Sequence, residues 1–116
     1  MPDHSTLVVT DKSAVTMTST TAGTTYLAER YLELVAYVNV TAASGSSPTL
    51  DVSIQASPDD SVWSTLASFT QQTTTSTAGS IPFKQTTNFG KYIRLNYVIA
   101  GSSASFTLTS KIVFKT

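Results

Sequence analysis

Apolar and polar residues alternate at every second position through most of this chain. The pattern is clearest in Pro48–Phe69, where Ser57-Pro58-Asp59-Asp60-Ser61 separates two alternating runs. Side chains two residues apart lie on the same face of an extended strand, so each run predicts a strand with one apolar face. Proline and aspartate between such runs are typical of a turn. The stretch therefore predicts a half-buried antiparallel hairpin.

The same alternation predicts strands along the rest of the chain. The longest is Glu29–Val40, whose valines and tyrosines disfavour a helix and whose alternation holds over its full length. The other predicted strands are Leu7–Thr10, Ala14–Ser19, Ser80–Lys84, Tyr92–Ile99 and Ala104–Lys115. With the hairpin, this makes about eight short strands joined by turns. The pattern predicts an all-β fold, an antiparallel β-sandwich that is jelly-roll-like.

The polar segments between these strands are predicted to be loops. Asp11–Ser13 is expected to be a turn, Thr41–Pro48 is expected to be flexible, and Ala100–Ser103 is expected to form a tight hairpin loop. Thr70–Ser80 is expected to be either a protruding loop or an edge strand. The first residues are the least patterned, so we assign 1–25 to an N-terminal arm or edge strands and 26–116 to a single β-sandwich domain.

The apolar faces of these strands predict one hydrophobic core. A chain of 116 residues has the usual size of one domain and is long enough to bury a core without disulfides or metals. The predicted core residues are Leu32, Leu34, Val38, Leu50, Val52, Ile54, Trp63, Leu66, Phe69, Ile93, Leu95, Phe106, Leu108 and Ile112.

The composition is rich in hydroxyl groups and poor in charge. The chain has 21 Thr and 17 Ser, whereas charged residues make up 12% and the net charge is zero. Strand positions that face solvent must therefore carry Thr and Ser, and such a surface is suited to an assembly.

The composition also excludes several classes of function. A neutral chain disfavours nucleic-acid binding, and no apolar run is long enough to span a membrane. Without cysteine, thiol catalysis and cysteine-ligated zinc are excluded. The start of the chain does not resemble a secretory signal, so we expect a soluble protein made without export.

No group of residues predicts catalysis or a cofactor. His4 is the single histidine and lies in a terminal segment, so we do not expect it to act as a base or a metal ligand. Asp51, Asp59 and Asp60 could supply oxygens to calcium, but Pro-Asp-Asp-Ser fits a turn better. We expect a protein that is not an enzyme and that has no cofactor.

Aromatic residues offer one alternative. Trp63, Tyr92 and Tyr97 could form a platform for a sugar ring. A tryptophan directly after a turn more often covers the core of a sandwich, and we favour that interpretation for Trp63.

The hairpin also resembles a known group of proteins. Leu50–Trp63 is similar to the strand, Ser-Pro-Asp-x-x-x-Trp turn and strand of small β-sandwich virion proteins of tailed bacteriophages. Phe89–Leu95 and Gly101–Leu108 look like the two strands that follow in that pattern. The resemblance covers roughly residues 49–113 and leaves the first forty residues out. A similar turn occurs in sugar-binding sandwich modules of discoidin type.

The resemblance implies a structural virion protein, most often a capsid decoration (cement) protein on the outside of the head, typically a homotrimer. It implies the major capsid protein and further copies of this chain as partners. From the neutral charge and the short apolar runs, we expect no nucleic-acid or membrane partner. We expect a virion location on the capsid surface, after assembly in the host cytoplasm. The residues predicted for capsid contact are Leu7, Val8 and Val9 in the arm. The residues predicted for self-association are Tyr31, Val35 and Tyr37, large side chains opposite the predicted core.

The resemblance leaves the head or tail position open. The alternative function is therefore a carbohydrate-binding or receptor-binding module of a phage tail or fibre.

Overall fold

The computed structural model describes residues 6–73, 83–87 and 90–116, and this part of the chain forms one antiparallel β-sheet without helices. No helix in these three ranges could therefore cross a membrane. The prediction of an all-β antiparallel protein is confirmed. The strands are β1 (Thr6–Met17), β2 (Thr21–Ala22), β3 (Tyr26–Leu27), β4 (Glu33–Ser57), β5 (Ser64–Ser68), β6 (Phe83–Thr87) and β7 (Tyr92–Lys115).

Two long strands form the centre of the sheet. β4 has 25 residues and β7 has 24, and they pair antiparallel along their whole length, from Glu33 opposite Lys115 to Ser57 opposite Tyr92. On one half of this ribbon, β1 pairs with β7 and β6 pairs with β4. On the other half, β2 and β3 pair with β7 and β5 pairs with β4.

The ribbon turns back on itself near its middle. The pairing of β4 with β7 is irregular between Ser44 and Thr49, opposite residues 100–105. Each strand has the sequence Gly-Ser-Ser there, and both glycines have positive φ, 112° at Gly45 and 114° at Gly101. A Cβ on Gly45 would lie 2.7 Å from the Cα of Ala104, and a Cβ on Gly101 would lie 2.9 Å from the Cα of Pro48. The bend therefore needs residues without side chains on both strands. We call residues 44–49 and 100–105 the corner.

Contacts between distant parts of β7 show that the two halves face each other. Tyr97 and Ser110 are 13 residues apart in one strand, yet their hydroxyls are 2.6 Å apart. Tyr26 pairs with Ile93 at one end of β7, and its ring centroid lies 6.2 Å from that of Phe114 near the other end. A straight strand would hold Ile93 and Phe114 roughly 70 Å apart, at about 3.3 Å per residue.

The hydrophobic core lies between the two halves of the folded ribbon. It takes alternate residues from both halves of β4 and of β7, with Met17, Ala28 and Phe69 at its margins. Apolar burial of this kind is the main stabilising contribution to a fold. The members from the long strands are Leu34, Ala36, Val38, Val40, Leu50, Val52, Ile54, Ala56, Ile93, Leu95, Tyr97, Phe106, Leu108, Ile112 and Phe114.

Three residues predicted for the core lie elsewhere. Leu32 precedes β4 and is 66% exposed, Leu66 lies in the short strand β5 and is exposed, and Trp63 is half-buried outside the core cluster. These residues lie at strand ends or in a short strand, where alternation does not ensure that another layer covers the side chain. The other eleven predicted core residues are buried.

Several predicted boundaries are wrong. Thr41–Pro48 belongs to β4 and Ala100–Ser103 to β7, because backbone pairing continues through both segments at the corner. The two predicted N-terminal strands are one strand, β1, in which bulges replace the expected turn at Asp11–Ser13. The Glu29–Val40 strand begins at Glu33. Predictions for residues 74–82 lie outside the described residues.

We predict that the corner glycines cannot be replaced without loss of stability. Gly45→Ala or Gly101→Ala should lower the free energy of unfolding by about 1–3 kcal/mol each, because an L-residue at this φ is strained and the new methyl group meets backbone atoms. Urea unfolding of each variant measures this. Gly90→Ala is the control, because a Cβ there would lie 3.3 Å from the nearest atom and Gly90 lacks a positive φ. Equal losses in all three variants would contradict the assigned role of the corner.

Candidate interaction surfaces

The outer face of one half of the ribbon carries a row of valines. Val8 of β1 lies opposite Val113 of β7, and Val113 lies opposite Val35 of β4. Side chains directly opposite each other on one face contact across strands. Val8 is 58% exposed, Val113 is half-buried and Val35 is buried, although Val35 is not part of the core cluster. An apolar strip therefore reaches the surface at β1.

The residues predicted for capsid contact divide between two environments. Leu7 and Val8 are exposed, whereas Val9 lies opposite the buried Ile112 and packs against the core. β1 pairs only with β7 among the described residues, so within this part of the chain it is an edge strand with no partner strand on its other side. Leu7 and Val8 could meet a partner from this edge, while Val9 holds β1 on the core.

The residues predicted for self-association do not form one surface. Tyr31 precedes β4 and packs against the core, with its ring centroid 5.3 Å from that of Phe114. Its expected position opposite the core is therefore wrong. Val35 and Tyr37 do lie on the outer face, where Val35 is buried and Tyr37 is 36% exposed. Their role in self-association stays a prediction.

A polar cluster joins the two halves of the ribbon at Asp11. The β1 bulge next to Thr10 turns the Asp11 carboxylate inward. Its Oδ1 accepts hydrogen bonds from the backbone N–H of Thr24 and from the hydroxyl of Tyr26, both at 2.9 Å, and its Oδ2 accepts one from Tyr97 at 2.5 Å. Because the single hydroxyl hydrogen of Tyr97 goes to Asp11, Ser110 donates to Tyr97 at 2.6 Å.

The environment of this cluster raises the pKa of both tyrosines. Burial is the main cause, followed by the hydrogen bond to Asp11 and by its charge; the pKa of Tyr26 rises to about 12, and that of Tyr97 rises still further. The phenols therefore stay protonated and act as donors. Donors of the protein itself already bind the Asp11 oxygens. We therefore assign the cluster a structural role. Sequence analysis assigned Asp11 to a turn and missed this cluster, because Thr10-Asp11-Lys12-Ser13 has the composition of a turn.

The turn that follows β4 is stabilised by hydrogen bonds to the side chain of Asp59. Asp59 Oδ1 accepts hydrogen bonds from the backbone N–H groups of Ser61 at 2.9 Å and Val62 at 3.0 Å, and from the hydroxyl of Ser57 at 3.1 Å. These bonds hold the pKa of Asp59 below its usual value. The interpretation of Pro-Asp-Asp-Ser as turn chemistry is confirmed. No three potential metal-ligating side chains come together within residues 6–73, 83–87 and 90–116.

The predicted aromatic platform is only partly present. Tyr97 is fully buried and cannot belong to it, whereas Trp63 and Tyr92 are half-buried. The guanidinium of Arg94 lies 4.0 Å from the ring centroid of Trp63, and its Nε donates to Gln55 at 2.8 Å. Trp63 is therefore held by a cation–π contact to β7 rather than by the core, which corrects its predicted place.

Comparisons with known proteins show the fold alone. Neither a protein-family model nor a curated protein sequence matches this chain. The SPBc2 prophage-derived protein YomS is similar with a TM-score of 0.57 and 13% identity, over 100% of this chain and 97% of its own. A chain in the structure of infectious bursal disease virus, Gx strain, has a TM-score of 0.66 and 14% identity over 98% of this chain. The match spans 32% of that viral chain. The fold thus occurs in a prophage-derived protein and in a virus.

We predict that the protein loses stability at alkaline pH as its buried tyrosines ionise. Both folded pKa values lie above the unfolded value of about 10, so this stabilisation is fully present below pH 10 and is lost as pH rises through the folded values. Urea unfolding between pH 8 and 12, with phenolate absorbance, measures both effects.

A Tyr26→Phe variant should show a shallower decline above pH 10 and should lack the phenolate that appears near pH 12. The result that contradicts this prediction is a folded protein whose five tyrosines all ionise together near pH 10.

Proposed function

We propose that this protein is a non-enzymatic structural component of a virion. More specifically, it is a capsid decoration (cement) protein that binds the outside of a phage head and stabilises it. The observation that carries this proposal is the edge strand β1, which has no second partner strand among the described residues and exposes Leu7 and Val8. Similarity of the fold to a prophage-derived protein over nearly the full length of both chains supports it.

The proposed mechanism is burial of additional surface between shell subunits. The folded ribbon forms a two-layered, sandwich-like body that resists deformation, because the core and the Asp11 cluster join its halves. A partner that covers Leu7 and Val8 removes apolar area from water, at about 25 cal/mol per Å². If one copy contacts two capsid subunits, this free energy opposes their separation. An edge strand can also accept an extended segment by backbone pairing.

The proposed partners are the major capsid protein and further copies of this chain, which we expect to form a homotrimer. Nucleic acid and membrane are not among them, since the chain has no net charge and few cations. The proposed location is the capsid surface of the virion, after assembly in the host cytoplasm. Tyr37 is the exposed member of the residues predicted for self-association.

A second candidate function is a carbohydrate-binding or receptor-binding module of a phage tail or fibre. The half-buried rings of Trp63 and Tyr92 favour it, because they leave aromatic surface accessible near the Ser57–Ser61 turn. Arg94 covers Trp63 at 4.0 Å, so this surface is smaller than a bare tryptophan would provide.

Light scattering and co-sedimentation with empty heads test the leading proposal. We expect a solution mass of three chains and saturable co-sedimentation with heads. Val8→Lys should weaken head binding at least tenfold, because it places a charge in the apolar contact. Val98→Lys is the matched control, since Val98 is also an exposed strand valine but lies on the other half of β7.

One result would contradict decoration itself, and another would contradict the assignment of β1 as the contact. One is a protein that does not sediment with heads at any concentration, which would direct attention to the tail alternative. The other is equal loss of binding in both lysine variants, which would remove β1 as the contact. Urea unfolding of both variants establishes that each is folded.

A further inference from the structure

A pocket of about 390 Å³ opens on the outer face of the ribbon, on the same half as the valine row. Its described lining is Tyr37 and Asn39 of β4 with Thr109 and Lys111 of β7. Tyr37 lies opposite Lys111 and Asn39 lies opposite Thr109, so the four side chains occupy two adjacent cross-strand pairs. The size is at the lower end of the range typical of small-molecule sites.

The floor of the pocket is rigid because it consists of paired strands. The pairing of β6 with β4 extends from Glu33 to Tyr37 among the described residues, so Asn39 lies two residues beyond it. The side chain of Thr109 is held by a hydrogen bond, because its hydroxyl accepts one from the backbone N–H of Ala14 in β1 at 3.0 Å. The backbone of these residues is therefore fixed before a ligand arrives, which lowers the entropy cost of binding.

Two polar groups of the pocket are available to a ligand. Among the residues that the structure describes, the Lys111 ammonium and the Asn39 amide have no hydrogen-bond or ion-pair partner. Lys111 thus has no acidic partner in the described part of the chain, whereas Lys115, four residues further along β7, approaches Glu33 at 4.0 Å. The amide of Asn39 can donate and accept at once, which matches a sugar hydroxyl. The aromatic ring of Tyr37 supplies an apolar wall.

We propose that this pocket binds a sugar acid, with the carboxylate at Lys111, a hydroxyl at Asn39 and the sugar ring against Tyr37. A single lysine fits one carboxylate better than a phosphate, which proteins usually bind with arginine forks or several donors. The small size of the pocket disfavours a large apolar ligand. This site is separate from the β1 contact and does not depend on decoration of a head.

The test uses sodium glucuronate as the probe and two controls, glucose and sodium acetate. Amide chemical shifts of the ¹⁵N-labelled full chain are followed during each titration. We expect glucuronate to shift amides near residues 37–39 and 109–111, with at least tenfold weaker binding of glucose and of acetate. Glucuronate and glucose differ mainly in the carboxylate, while acetate lacks the sugar ring.

Lys111→Met should weaken glucuronate binding at least tenfold, and Asn39→Ala should weaken it severalfold. Lys115→Met is the matched control, because it removes the same charge four residues further along β7, outside the pocket, and should leave binding unchanged. Lys111 is exposed, so its replacement should not prevent folding.

Three outcomes would overturn the proposal: absence of glucuronate binding, equal binding of acetate or glucose, or equal weakening by Lys111→Met and Lys115→Met.

Because Tyr37 is also predicted for self-association, light scattering accompanies each titration. Binding at the pocket with an unchanged mass supports the proposal. Absence of binding overturns it at any oligomeric state. Head co-sedimentation is scored separately, so failure of one proposal is distinguishable from failure of the other.

Discussion

The whole fold depends on one long antiparallel ribbon turning back on itself. β4 and β7 each have one apolar face, and a straight ribbon would leave that face in water. Folding the ribbon at the corner brings the two apolar halves together, so a single pair of strands supplies both sides of the core. The bend is possible because Gly45 and Gly101 face the opposite backbone where a Cβ would clash. Burial drives the fold, and two glycines make it sterically allowed.

The Asp11 cluster adds a polar requirement to this apolar arrangement. Tyr97 is fully buried, and its hydroxyl would lose its bonds to water unless the protein replaced them. Ser110 from the opposite half and Asp11 from β1 do so. The carboxylate reaches this position because a bulge interrupts β1. The bulge is therefore part of the fold's specificity, since slipping the register of β1 would separate Asp11 from both tyrosines.

Sequence reasoning succeeded where alternation and burial agree. Leu34, Leu50 and Ile54 could be assigned to the core because the opposite half of the folded ribbon covers one whole face of β4. It failed at the corner, since Gly-Ser-Ser has the composition of a loop, and only the pairing of two such triplets shows that the strands continue. The Asp11 cluster was also out of reach, because its partners come from segments 13 to 86 residues away. Turn chemistry at Asp59 was predictable because its partners lie within three residues.

The surface explains why the fold alone does not determine function. Exposed hydroxyls bond to one another across strands, as in Thr16 with Thr107 at 2.8 Å and Ser44 with Ser105 at 2.6 Å. Such pairs satisfy polar groups without creating a long-range field, so a partner must be recognised by short-range complementarity. The candidate features for that recognition, the valine row and the pocket at Lys111, lie on adjacent rows of the same outer face. Function on a shared fold resides in such local sites, and here one face of one half of the ribbon carries both.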